Sequence, residues 1–348
     1  MQGSYKRILS ILILCLVVII PLIGCGSAAK NNAVSSGSYF IFDTLVTVKV
    51  YSEQVEDQHF EAIELILKDI DQATNRQLEG SEIDQVNRRA GIDAVKVSAE
   101  TFLVVQKAME YAAQSEGRFD PTIGPLVDLW GIGTEEAHRP DDAMLTQTVS
   151  LVNYKDVRLD ETQQTIQLNR PDMSIDLGAI AKGYAADRVA EYLRSEGFES
   201  AIIDLGGNIL AMGTKPSSEL WTIGIQNPES KRGDNIGTLR VRNKTIVSSG
   251  VYERFFMHEG VHYHHILDPK TGYPVANNLL SITIVTNRSI DADALSTTVF
   301  SMGLEKGLAF VESLEDVDAF FITHEREIYI SKGFAEELNI TDASYTKH

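Results

Sequence analysis

An apolar run from Ile8 to Ile23, set behind Lys6 and Arg7 and closed by Leu22-Ile23-Gly24-Cys25, divides the chain in two. A basic n-region followed by an apolar h-region is the pattern of a secretory signal. The run is about sixteen residues long, short of the roughly twenty that a bilayer span needs. A small residue before a cysteine at the end of the h-region has the form of a lipidation signal, so cleavage ahead of Cys25 and acylation of its thiol are expected. Cys15 leaves with the signal. The mature chain then holds no cysteine but the lipidated one, and disulfides, thiol catalysis and Cys-ligated metals fall away together. What remains must hold itself together by burying apolar surface. A hydrophobic fraction of 43% over 348 residues suits a chain that does so.

A formal charge of −18 would repel a nucleic-acid backbone or an anionic lipid surface over most of the molecule. Nucleic-acid binding is therefore excluded as a function class, while a local anion site stays open. Residues 1–24 read as the signal, residues 25–37 as a small, polar, flexible tether, and residues 38–345 as one compact body, two lobes being allowed, with no internal linker or repeat. Tyr39 to Tyr51 alternates like a strand. Phe60, Ile63, Ile66, Leu67 and Ile70 recur at helical spacing, a second helix spans Ala99 to Gln114, and a third follows Asp176. Strand-like runs recur at Ala201–Asp204, Trp221–Ile225, Thr245–Ser248, Leu280–Val285 and Ala319–Ile322, and a last helix opens at Asp291. Strands and helices mix without a βαβ rhythm, which points to an α+β fold of mixed sheets with packed helices.

Several segments carry candidate chemistry. In Asp291-Ala-Asp293-Ala-Leu-Ser296-Thr297, Asp293 and Thr297 share a helix face, and a carboxylate with a hydroxyl is a hard-oxygen pair suited to Mg²⁺ or Ca²⁺; plain N-capping explains the acids equally. Asp176-Leu-Gly178-Ala179-Ile-Ala-Lys182 reads either as a turn that frees a carbonyl for a cation or as a packed strand-to-helix turn. Phe119-Asp120-Pro121 through Trp130-Gly131 makes a stiff loop that can present Asp120 and an aromatic face to a planar ring. Asp204-Leu-Gly206-Gly207-Asn208 reads as a tight turn or a close backbone approach, and Ser248-Ser249-Gly250, leading into Tyr252, reads similarly. Of three histidines, strand alternation sets His262 and His264 on one face and His265 on the other; zinc lacks its remaining ligands, and one histidine is expected to act as proton acceptor or orienting group, with the others exposed.

Taken in order, Gly117–Gly131, Asp176–Asp187, Asp204–Asn208, Ser248–Tyr252, His265–Gly272 and Asp293–Thr297 resemble the signature blocks of the ApbE family, the FAD:protein FMN transferases, over residues 39 to 340. The resemblance implies a lipid-anchored, extracytoplasmic enzyme that uses Mg²⁺, takes FAD as substrate, and transfers FMN to a Thr or Ser hydroxyl of a membrane or extracytoplasmic redox protein, releasing AMP. It also implies site residues: Ala179, Asp293 and Thr297 for the metal; Phe42, Arg118, Phe119, Asp120, Asp176, Lys182 and Leu267 for the flavin nucleotide; His265 and Asp293 for catalysis. Phe42-Asp43-Thr44 stands where the family often has Met-Gly-Thr, and Gln77 where it often has an aromatic. The second difference keeps an FAD pyrophosphatase yielding FMN and AMP open as an alternative, and a non-catalytic flavin- or solute-binding lipoprotein stands as a third reading.

Overall fold

The computed structural model describes residues 34–348 apart from residue 335, so the expected signal and Cys25 lie outside the described residues. Val34 to His348 form one compact unit on a nine-stranded sheet. Its strands are β1 (Ser35–Ile41), β2 (Thr44–Val50), β3 (Ala201–Leu205), β4 (Asn208–Met212), β5 (Lys244–Gly250), β6 (Leu279–Thr286), β7 (Asp318–Thr323), β8 (Glu327–Ile330) and β9 (Thr346–Lys347). They lie side by side in chain order, antiparallel throughout except for the parallel pair β8–β9. Long excursions between strands supply the helices, which is the α+β organisation expected from the pattern.

Both faces of the sheet are covered. On one side lie α1 (Asp57–Thr74), α2 (Ala99–Gln114), α3 (Ala181–Ser195) and α4 (Ser289–Met302); on the other lies a three-stranded sheet of Trp221–Gln226, Asn235–Val241 and Glu337–Ile340. A strand between two layers must be apolar on both faces, and β6 is buried along its whole length. Ile282 and Ile284 face the helices and Val285 the small sheet. A register shift between Leu279 and Ser281 resets the alternation, so Leu280 faces the small sheet although it stands two residues from Ile282.

The helices occupy the positions that their periodicity indicated, with Ile63, Leu67 and Ile70 of α1 and Tyr184, Val189 and Leu193 of α3 buried. Three local expectations are corrected. The alternation over Tyr39–Tyr51 belongs to two strands, folded back at Phe42 and Asp43, whose φ angles are 55° and 53°. Such a turn usually draws on Asn-Gly, and neither residue announces it. Ser35, Ser36 and Gly37, read as tether, open β1 in register with Val50, Lys49 and Val48, because pairing needs only backbone amides. Helix α4 begins at Ser289 rather than Asp291, which places Asp291 inside the first turn. No helix of the described residues is long and apolar enough to cross a membrane.

The topology gathers loops at one end of the sheet. The Val46–Leu205 and Val247–Asn208 registers bring the β1–β2 turn, the Gly206-Gly207 turn between β3 and β4, and the exit of β5 together there. Helix α4 runs back along β5 toward that end: Ser289 meets Thr245 at 3.1 Å, and Ser296 meets Ser249 at 2.8 Å.

Candidate active site

Helices α3 and α4 cross so closely that Gly183 could not carry a side chain: a Cβ there would lie 2.2 Å from the Ser289 carbonyl oxygen and 2.8 Å from the Asp293 Cβ. Each helix start is clasped by a carboxylate of the other. Asp187 of α3 accepts hydrogen bonds from the amides of Ser289 at 2.8 Å and Ile290 at 3.0 Å. Asp293 of α4 accepts from the amide of Gly183 at 2.9 Å through Oδ2. Carboxylates at helix N-termini satisfy amides that have no partner inside the helix.

The second clasp has a consequence for oxygen atoms nearby. The Gly183 amide is the donor that would ordinarily serve the Ala179 carbonyl four residues back. It goes to Asp293 instead, and among the described residues no hydrogen bond reaches the Ala179 carbonyl. One helical turn beyond Asp293, the hydroxyls of Ser296, Thr298 and Ser301 all donate to backbone carbonyls, at 2.8 Å each. The Thr297 hydroxyl makes no such bond among the described residues. Oδ1 of Asp293 accepts none either, with the Lys182 ammonium at 4.0 Å. A carboxylate oxygen, a hydroxyl and a peptide carbonyl without hydrogen-bond partners are hard donors of the kind a small divalent cation takes. No group of three or more His, Cys, Asp or Glu side chains converges as a metal site among the described residues.

Around this point the sequence-derived residues sort into two sets. Lys182 donates to the Gly178 carbonyl at 2.8 Å. Asp176 accepts from the Gly178 amide at 2.8 Å and from Arg76 Nε at 2.7 Å, and Arg76 also grips Asp128 at 2.9 Å. These two carboxylates hold the Arg76 guanidinium firmly protonated against the cost of its burial. Arg76 escaped the sequence reading because a partner 100 residues away leaves no periodic trace. Phe42 sits in the β1–β2 turn and packs on the helix-side core, beside Gly206, where a Cβ would lie within 2.9 Å of the Thr44 Cβ. Arg118 donates to the Ser301 carbonyl at 3.1 Å, at the C-terminal end of α4.

Phe119, Asp120 and Leu267 turn their side chains inward, which corrects the expectation that the 119–130 loop shows its acid and an aromatic face to a ligand. Phe119 is 4% exposed and edges onto Tyr111. Asp120 accepts from the Thr122 amide at 2.8 Å, the Thr122 hydroxyl at 2.6 Å and the Tyr154 amide at 2.9 Å. Burial raises its carboxyl while those bonds act against the rise. Trp130 is fully buried and donates to the Gly272 carbonyl at 2.7 Å, pinning the Asp268–Gly272 turn. Leu267 packs in the same apolar cluster. Any ligand at these positions would meet backbone rather than these side chains.

The histidines separate as alternation required, but His264 is buried, 6% exposed, against the expectation that the spare histidines face solvent. His262 and His264, their rings 6.3 Å apart, project from one face of the hairpin Phe255–His258/Val261–His264 into a cavity of about 900 Å³. Both nitrogens of His264 are occupied, by the Val275 carbonyl at 3.1 Å and the Ile266 amide at 3.3 Å. His265 lies beyond the strand, its Nδ1 3.2 Å from the Arg254 carbonyl. Donation to that carbonyl leaves Nε2 with the free lone pair. Burial, with His264, Arg254 and Lys182 as neighbours, pushes His265 down to about 4, so the ring is neutral at neutral pH.

The ApbE family model matches residues 42–321. The FAD:protein FMN transferase of Klebsiella pneumoniae is 38% identical over 316 residues, covering 91% of this chain and 98% of the relative. That of Treponema pallidum is 34% identical over 337 residues, covering 92% and 93%. Among solved structures, the ApbE protein of Thermotoga maritima superposes with a TM-score of 0.80 at 31% identity, covering 87% of this chain and 98% of that one. The flavin transferase ApbE of Vibrio cholerae does so with a TM-score of 0.78 at 27% identity, with the same coverage. Six ordered sequence blocks, the fold that carries them and these matches agree: the chain belongs to the ApbE family.

Proposed function

We propose that this protein transfers FMN from FAD to a threonine or serine hydroxyl of a partner protein. In that reaction the acceptor oxygen forms a bond to the FMN phosphorus, the P–O bond to the bridging oxygen breaks, AMP leaves, and the hydroxyl proton passes to a base. The observation that carries the reading is the Asp293–Gly183 hydrogen bond, which leaves the Ala179 carbonyl without its helical donor beside Asp293. Family membership and the printed activity of its relatives support it.

Ala179, Asp293 and Thr297 are the residues that would hold Mg²⁺, whose charge would offset that developing on the diphosphate. Lys182 adds a compact positive charge at the same place. His265 Nε2, neutral and unprotonated, is suited to take the acceptor's proton. Asp176 and the backbone of Arg118, Phe119, Asp120 and Leu267 would hold the nucleotide, with Phe42 against the flavin.

Incubation with FAD, Mg²⁺ and an acceptor protein should give flavin fluorescence that stays with the acceptor band after denaturing electrophoresis. Fluorescence recovered only as free FMN, with AMP, would replace transfer by pyrophosphate hydrolysis, the second reading. Gln77 favours that second reading, because it is exposed and offers no aromatic cover to the ring. The acceptor is proposed to be a membrane or extracytoplasmic redox protein and the enzyme to be lipid-anchored through Cys25. Cys25→Ser should then move the protein from the membrane to the soluble fraction.

A further inference from the structure

Positive charge is scarce in a chain of net charge −18, and most of its arginines in the described region lie within salt-bridge distance of a carboxylate. Arg232 does not. Among the described residues its guanidinium makes no hydrogen bond and has no carboxylate within 4.0 Å. It projects from the loop 227–234, which is stiffened from within: the Asn227 amide bonds the Asp234 carbonyl at 2.7 Å, and the Gly233 amide bonds Gln226 Oε1 at 2.9 Å. Tyr345 fixes Asn227 from outside at 3.0 Å. A free guanidinium on a rigid loop loses less freedom on binding than one on a mobile loop.

Arg232 points over the Gly206-Gly207 turn, its Nη2 3.5 Å from where a Cβ on Gly207 would stand. Gly207 has φ +104°, a conformation that favours glycine, and so leaves the backbone bare beneath the arginine. Glu253, just past the end of β5, feels the charges of Arg232, Lys182 and Arg254 together, although it forms no salt bridge with any of them. The next residue of the turn beneath Arg232, Asn208, accepts from the Ser289 hydroxyl at 2.6 Å, and Ser289 opens the helix that carries Asp293, so this turn borders the place where Lys182 stands 4.0 Å from Asp293. Planar guanidinium groups match phosphate oxygens in pairs.

We propose that Arg232 is a substrate-binding residue of the transfer site, engaging the diphosphate of the dinucleotide together with Lys182 and exchanging its neighbour Glu253 for that anion. The proposal rests on the transferase reading and adds a residue from a loop outside the six sequence blocks. The test is titration of the intact protein with FAD and with riboflavin, followed by flavin fluorescence. Arg232→Ala should weaken FAD binding roughly 10- to 100-fold, the range of a lost charge-assisted bond, and change riboflavin binding less than about threefold. Arg232→Lys should recover part of the loss, the difference should shrink as salt is raised, and Glu253→Gln should tighten FAD severalfold. Equal weakening of FAD and riboflavin, or unchanged FAD binding, overturns the role of Arg232. Wild-type protein that binds FAD no better than riboflavin overturns the transferase reading itself, before any variant is compared.

Discussion

Asp187 and Asp293 do the same thing in opposite directions, each capping the helix that carries the other, yet they differ in what is left over. Asp187 is 8% exposed, and both its oxygens are taken by amides at the start of α4. Asp293 is 5% exposed and gives one oxygen to Gly183, while the other has only Lys182 at 4.0 Å. Burial alone does not distinguish a structural acid from a functional one here. Oxygen occupancy does: a carboxylate with an amide on each oxygen is committed to the fold, whereas one with an oxygen that accepts no hydrogen bond, near a carbonyl and a hydroxyl likewise without partners, is set up to hold a cation.

Exchanging each acid for its amide is the most severe test of this contrast. Asp293→Asn keeps an acceptor for Gly183 but loses the charge, so turnover should fall by roughly three orders of magnitude, as for loss of a metal ligand worth several kcal/mol. Its melting temperature should stay near wild type. Asp187→Asn should do the reverse, because one helix-start amide loses its acceptor at a cost of about 1–3 kcal/mol, with activity per folded molecule retained. Thermal melts and turnover measured on the same preparations decide it, and two variants that lose both properties together would dissolve the distinction.

Neighbouring threonines provide a finer version. The Thr298 hydroxyl is buried and donates to the Ala294 carbonyl at 2.8 Å, while that of Thr297 has no protein partner among the described residues. Thr298→Val should cost about 1 kcal/mol of stability and leave the reaction alone. Thr297→Val should leave stability within about 0.5 kcal/mol and lower activity roughly 10- to 100-fold, with a higher Mg²⁺ requirement in a metal titration.

How far the sequence could anticipate this follows from where each partner lies. The strand-like runs at Ala201–Asp204, Trp221–Ile225, Thr245–Ser248, Leu280–Val285 and Ala319–Ile322 and the spans of α1 and α2 were legible because burial imposes periods of 2 and 3.6 on local stretches, whereas Asn208–Met212, Asn235–Val241, Glu327–Ile330 and Glu337–Ile340 were not read as strands. The start of α4 was misjudged at Asp291 because its cap, Asp187, comes from 102 residues upstream, and a search for local capping residues settles on the nearest acids. The Phe42-Asp43 turn was missed because the left-handed pair there lacks the glycine or asparagine that signals one. Asp293, Thr297 and Ala179 were named from the order of sequence blocks. Arg76, Arg232 and Glu253 make their contacts over long separations in single residues that belong to no recurring pattern, and only the folded chain exposes them.

The titration of Asp187 offers a further test of its place in the fold. Burial raises Asp187 to about 6 from an ordinary value of 3.8, with its two amide donors and Arg288 opposing the shift. Because the folded pKa lies above the unfolded one, the native state holds the extra proton between about pH 4 and pH 6, and the contribution of this group to stability falls as pH rises through that window. Taken whole, a shift of about two units corresponds to at most ~3 kcal/mol, less to the extent that water reaches the carboxyl. Asp187→Asn removes the titration, so its stability deficit relative to wild type should be largest near pH 4 and narrow toward pH 7. Chemical-denaturation curves of the two proteins at half-unit steps measure that narrowing. Parallel stability profiles across the window would mean that the two amides hold Asp187 ionised throughout.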